Sequence, residues 1–248
     1  IGNRDRTRTH RDAARELRQR VERRFWLEGE GCYALALDGR KRPCLVRSSN
    51  AGQCLFTGIA TPERAARLAR TLVSPELFSG WGVRTLANDE RRYNPLGYHN
   101  GAVWPHDNAL IALGLARYGY TREALAICAG LLGAGSWFDL QRMPELFCGF
   151  ARRADAGPVS HPVACAPQAW AAGSVLLLLQ ACLGLEIDAV QRRVTFAHAR
   201  LPDAIDELRI HELALPGATL DLAITRETGE VSVSVLRQQG AVELRVMP

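Results

Sequence analysis

Lysine is almost missing from this chain: Lys41 stands alone among 31 basic residues, and arginine supplies the rest of a formal charge of +5. The one arginine-dense stretch, NRDRTRTHRDAARELRQRVERR, is interrupted throughout by acidic residues. A solvated helix face laced with ion pairs accounts for it better than a nucleic-acid patch, so no nucleic acid is expected as a partner. No C-x-x-C pair occurs among the seven cysteines at 32, 44, 54, 128, 148, 165 and 182. An odd set of this kind favours reduced, mostly buried thiols in a cytoplasmic setting over a zinc knuckle or a disulfide framework. G-x-S-x-G, the P-loop and a dinucleotide fingerprint are also missing, which removes the common hydrolase, nucleotide and cofactor readings and leaves no cofactor to expect. Long apolar runs are scarce too. Residues 163–185 carry no formal charge, but Pro167, Gln168 and Gln180 interrupt them and Trp170 lies inside, so a buried helix is predicted and no membrane span. The chain opens on Ile1, which makes the lack of a signal peptide uninformative.

What is present is a globular composition, 47% hydrophobic and 23% charged, long enough for a sizeable core. Apolar residues at Ala14, Leu17, Val21 and Phe25 predict an amphipathic helix with its arginines outward. CYALALDG and PCLVRSS, joined by GRKR, read as a hairpin. Thr61 caps a helix whose inner face holds Ala65, Ala66, Ala69, Leu72 and Val73, and Pro75 ends it. Pro105 opens a helix to Tyr118, Thr121 caps another to about Leu132, and Pro167 begins a nearly all-apolar helix to about Leu185. Amphipathic helices alternate with greasier ones whose preceding loops are rich in chemistry. This suggests two layers, with helices 105–118 and 167–185 inside and their entry loops converging. From about residue 205 the period shortens to two, in ELRIHELAL, ATLDLAITR, VSVSVL and AVELRV, which predicts a small antiparallel appendage. The expected division is a helical segment over 1–200 and a β-rich appendage over 201–248.

The densest chemistry lies in YNPLGYHNGAVWPHDNALIALG, residues 93–114. Trp81, Tyr93, Tyr98 and Trp104, interleaved with Arg84, Asn94, His99, Asn100 and Asp107, are the residue types a sugar pocket uses. Aromatic faces cover the C–H faces of a pyranose while amides and charges satisfy its hydroxyls. The same residues would also serve to close the top of a helical core. His99, His106 and Asp107 lack any metal-ligand spacing, and the last two suit a helix's first turn, so no metal is predicted. In RMPELFCGF, Glu145 is a carboxylate among apolar neighbours. Desolvation would disfavour its charge unless donors hold it, which suits acid/base work; a loop glutamate facing solvent is the alternative.

SNAGQCLFTGIA, FSGWGVRTLA, RYNPLGYHNGAVWPHDNALIALGLARYG, MPELFCGF and PVACAPQAWAAGS occur in an order that resembles the C-terminal half of bacterial glycogen-debranching proteins of the amylo-α-1,6-glucosidase type. These are glucoamylase-like six-hairpin glycosidases, and the resemblance spans about residues 10–200. It implies an (α/α)6 toroid and inverting hydrolysis of α-glucosidic linkages in an oligosaccharide or glucan by two carboxylates. Glu145 occupies the position of the family's general base. Tyr98, His99, Asn100, Trp104 and Asp107 match its sugar-binding loop, and Trp81 and Arg84 match a second wall. A full toroid has twelve helices and its general acid is an aspartate on the upstream half; about six helices are predicted here, and no stretch matches the acid motif. The resemblance therefore implies a partial, mainly α toroid that works with an upstream half of the same enzyme, or a relative that binds sugar without cleaving it.

Overall fold

A computed structural model describes residues 4–227 and 229–247. Among them are six helices: α1 (Arg4–Arg24), α2 (Gln53–Phe56), α3 (Pro62–Leu72), α4 (Pro105–Arg117), α5 (Thr121–Gly135) and α6 (Ala169–Leu183). Helix α4 is the hub, packed against α2, α5 and α6. Its PHDNALIALGLAR sequence buries Ala109, Ile111, Ala112, Leu113 and Leu115, which leaves it almost no solvent face. Gly114 is what allows α2 so close: a Cβ there would fall 2.5 Å from the Phe56 backbone nitrogen.

Helix α3 follows its sequence signals. Thr61 Oγ1 accepts the Arg64 N–H at 3.4 Å, Pro62 occupies the first turn, and Leu68, Ala69 and Leu72 are fully buried. Thr121 is the first residue of α5 rather than its cap, which is Tyr120. Helix α1 departs further from expectation. Val21 and Phe25 pack on the core, but Leu17 is 53% exposed, so only the last turns of the helix are docked. Helix α6 is not covered all round either. Ala171, Ser174, Leu178, Ala181 and Cys182 are buried where the helix meets α4 and α5, whereas Leu176 is 73% exposed.

The hairpin expected after residue 32 is replaced by a smaller one. Strands β1 (Trp26–Leu27) and β2 (Cys32–Tyr33) pair with each other, and of the expected partners only Leu37 and Pro43 form a bridge. The Asp38 carboxylate accepts the N–H groups of Arg40 and Arg42 at 2.8 and 2.9 Å, closing the chain locally, and Pro43 has no N–H to extend a ladder.

The C-terminal run of strands begins with β3 (Leu185–Asp188) and β4 (Arg193–Ala197), upstream of the boundary expected at 201. Strands β5 (Glu207–Leu215), β6 (Ala218–Glu227) and β7 (Glu230–Gln239) form the antiparallel meander that the alternating pattern predicts. The last strand, β8 (Glu243–Met247), leaves that meander and lies parallel to β4. Val194 and Phe196 of β4 join Leu215, Leu220, Leu222 and Ile224 in a second core that reaches Leu183 at the end of α6. Among the described residues, no helix is long and apolar enough to cross a membrane.

Candidate functional site

The site grows from the N-terminus of α4. Asn108 is fully buried one turn in; its Oδ1 accepts the Val83 N–H at 2.6 Å, and its Nδ2 donates to the carbonyls of Val83 and Trp104, both at 3.0 Å. One amide thus fastens the FSGWGVRT loop to the helix. A second loop is laid alongside by Val103 and Phe147, which exchange backbone hydrogen bonds at 2.9 and 3.0 Å. Gly149 completes the approach, since a Cβ there would lie 1.8 Å from the Gly101 carbonyl oxygen. The segment preceding α6 is joined through Glu145, whose N–H donates to the Cys165 carbonyl at 2.8 Å. Loops entering α4 and α6 therefore converge on the residues around Glu145.

The Glu145 side chain is turned inward and is 8% exposed. Its Oε1 accepts the Tyr98 hydroxyl at 2.7 Å and its Oε2 accepts the Cys165 N–H at 3.2 Å. The Tyr98 hydroxyl, foremost, and then the Cys165 donors and His106 hold the carboxyl below its ordinary range, outweighing the opposing effect of burial. Apolar sequence neighbours suggest the reverse. Donors win because each of these hydrogen bonds is stronger to the ionised carboxylate than to the neutral acid. Tyr98 responds oppositely: its hydroxyl is pushed up because it donates to a carboxylate.

Around this pair stands a cluster of rings. Tyr98 meets Trp104 edge-on at 4.9 Å, His99 lies parallel to Trp104 at 5.7 Å, and His106 lies parallel to Trp170 at 3.9 Å. Trp104 is 7% exposed and donates its indole N–H to the Tyr98 carbonyl at 3.0 Å. A cavity of about 430 Å³ opens beside them, lined by His99, Asn100, Trp104, His106, Asp107 and Trp170 among others. Glu145 does not line this cavity itself, and is tied to the cluster through Tyr98. At the cavity's floor, Asp107 Oδ1 accepts the Gln53 amide at 2.6 Å. Burial pushes the Asp107 carboxyl up, against the pull of Ser49, Gln53 and His106. Burial likewise pushes the His106 imidazole down, toward its neutral form.

Trp81 and Arg84 are not brought to this cavity, which corrects their expected place in a sugar-facing wall. Trp81 is 3% exposed in the main core, with the Arg152 guanidinium 4.2 Å over its ring. Arg84 is 2% exposed; its Nε donates to the Gly149 carbonyl at 2.7 Å and its Nη1 to those of Pro75 and Glu76 at 3.1 Å. Its donors bind the chain together rather than face a ligand. A larger, shallow depression of about 610 Å³ lies beside Trp26, but two of its three guanidiniums, Arg64 and Arg67, already pair with Glu22 and Glu28. Among the described residues, no group of three His, Cys, Asp or Glu side chains could hold a metal ion.

The sequence assigns Trp170 no binding role, although it begins a greasy helix just as Trp104 precedes α4, and that parallel is the available signal. The Cys165 N–H has no signal at all, because a backbone donor is written in no residue type.

Helical hairpin-like packing around an ionised glutamate and a ring-lined cavity is an arrangement suited to a glycoside hydrolase, and the comparisons with known proteins agree. The chain belongs to the mannosylglycerate hydrolase MGH1-like glycoside hydrolase domain family, whose model matches residues 1–134 and so ends before Glu145. The kinship shown is to glycoside hydrolases, the broader part of the expected resemblance. No curated protein matches the chain. Among solved structures, a GH78-family rhamnosidase from Bacillus sp. GL1 is similar in fold, with a TM-score of 0.60 and 18% identity over 93% of this chain and 22% of the other. A GH63 mannosylglycerate hydrolase from Thermus thermophilus matches at a TM-score of 0.49 and 19% identity, over 62% of this chain and 34% of the other. The neutral trehalase of Saccharomyces cerevisiae matches at 0.49 and 18%, over 69% and 30%. The chain thus spans about a third or less of the length of these structures.

Proposed function

We propose that this chain carries the base side of an inverting glycosidase site that acts on a short α-glycoside or the end of a glucan. The observation that supports this reading is the Glu145 carboxylate, kept ionised by the Tyr98 hydroxyl beside a ring-lined cavity. An ionised carboxylate accepts a proton from water as that water attacks the anomeric carbon, and inversion follows from attack on the face opposite the leaving oxygen. His99, Asn100 and Asp107 offer hydrogen bonds to sugar hydroxyls, Trp104 walls the cavity, and Tyr98 stands behind it. The leaving oxygen needs a second carboxyl as its acid. In the family this chain resembles, that group is carried on an upstream half, so the helical segment acts as one part of a toroid. The linkage covers two finer cases, an α-1,6-glucosidic branch and a small glycoside such as the one in the family's description.

The test is the Glu145→Gln variant of the natively expressed enzyme, assayed on maltooligosaccharides, branched glucan and mannosylglycerate. Hydrolysis should fall by about a hundredfold to ten-thousandfold, the range for loss of a general base, and the wild-type product should emerge with inverted anomeric configuration. Turnover unchanged in the variant, or a retained anomer, would reject the assignment. A second reading, a carbohydrate-binding remnant, is favoured by the lack of a sequence match to the acid motif. It predicts sugar binding with no hydrolysis by the wild-type protein.

A further inference from the structure

Stacking on a sugar requires a ring with a free face, and the cluster offers few. Trp104 is 7% exposed and the Tyr98 hydroxyl is taken up by Glu145, whereas Trp170 is 48% exposed. Trp170 is the second residue of α6 and His106 the second of α4, so the contact between these two helices brings the rings together. Their planes lie within 9° of parallel at 3.9 Å, while Trp104 stands across the indole, 6.0 Å away and at 76° to it. One face of Trp170 is therefore braced by an imidazole, and the ring borders the cavity in company with His99, Asn100 and Asp107. That company separates Trp170 from the other large exposed apolar residue of α6, Leu176, which does not line this polar hollow.

Resting on the sugar-site reading above, we infer that Trp170 is the platform on which the apolar C–H face of a pyranose stacks, and that His106 is a positioning residue holding the indole in place. An indole offers a wide apolar face, and a parallel brace removes the freedom the ring would otherwise lose on binding. Trp81, one of the three rings expected with Tyr98 and Trp104 to face a sugar, is 3% exposed.

The test uses the full 248-residue chain carrying Glu145→Gln, titrated calorimetrically with maltotriose and separately with mannosylglycerate. At least one sugar should bind. Adding Trp170→Ala should raise Kd about tenfold, equivalent to about 1.4 kcal/mol, and Trp170→Phe, which keeps a flat apolar face, should retain most of the affinity. His106→Ala should weaken binding less, and His106→Phe, which keeps a flat ring, should restore it. Trp137→Ala, at a 59% exposed tryptophan outside the cavity, should change nothing. Binding that survives Trp170→Ala intact overturns the platform while leaving the sugar site standing. No binding of either sugar overturns both. Should Trp170→Ala fail to fold, the indole N–H resonance of Trp170 decides: a sugar-dependent shift supports the platform, and a resonance that stays put, as for a ring reserved for a protein contact, overturns it.

Discussion

The loop around Trp81 and the loop around Trp104 read alike, each pairing tryptophan with glycine and polar side chains, yet the fold uses them in opposite ways. The first is drawn inward by Asn108 and by Arg84, whose guanidinium binds three carbonyls. The second turns His99, Asn100 and Asp107 toward a cavity and sets Tyr98 on a carboxylate. What separates them is where their hydrogen-bonding groups end: on the chain's own backbone in one case, at an open hollow in the other. An aromatic, polar loop is thus a site only where some of its polar atoms are left for a ligand.

This contrast can be broken by substitution. Glu145→Gln has the largest expected effect, a hundredfold or greater loss of hydrolysis measured as released sugar. Arg84→Leu should instead act on stability, removing three hydrogen bonds and leaving the Pro75 carbonyl without its donor, while Gly149 keeps the Tyr93 hydroxyl and Glu76 the Asn88 N–H; unfolding free energy should fall by about 3 kcal/mol in urea titrations. If Arg84→Leu instead abolished sugar binding in a protein of undiminished stability, the two loops would share one role. Tyr98→Phe is expected to act more gently. Without the hydroxyl the Glu145 carboxyl rises toward its ordinary value, so the acidic limb of the kcat/KM profile should move to higher pH. The sign follows for stability too: a carboxyl held low in the fold stabilises above its unfolded pKa, and that contribution fades as pH falls through the folded value. Tyr98→Phe should therefore flatten the pH dependence of unfolding on the acid side. Smallest is Thr61→Ala, which removes the α3 cap outside either loop and should cost about 1 kcal/mol in thermal unfolding with catalysis unaltered.

Much of this is legible in sequence wherever a local signal decides local structure. Thr61-Pro62-Glu63 set the start of α3, Pro105 the start of α4, and strict alternation the meander from β5 to β7. Failures come where partners distant in sequence decide. Nothing in AVELRV says that β8 will choose β4 over its sequence neighbour, or that one side of α6 will be left bare. Within the site, Tyr98 and Glu145 are separately visible, but the hydrogen bond joining them spans 47 residues of chain and reverses the direction in which apolar neighbours alone would shift the glutamate. Trp81 and Arg84 mislead because residue type reports what a side chain can bind and not whether its own backbone has already claimed it.

The parallel seating of β8 on β4 reaches beyond the sheet. Strand β4 is paired with β3 along one edge, and Glu243–Met247 shield the other. Clipping that segment would bare a row of amides and carbonyls able to recruit a strand from another molecule, so a protease nick near Glu243 would turn a monodisperse preparation into a self-associating one.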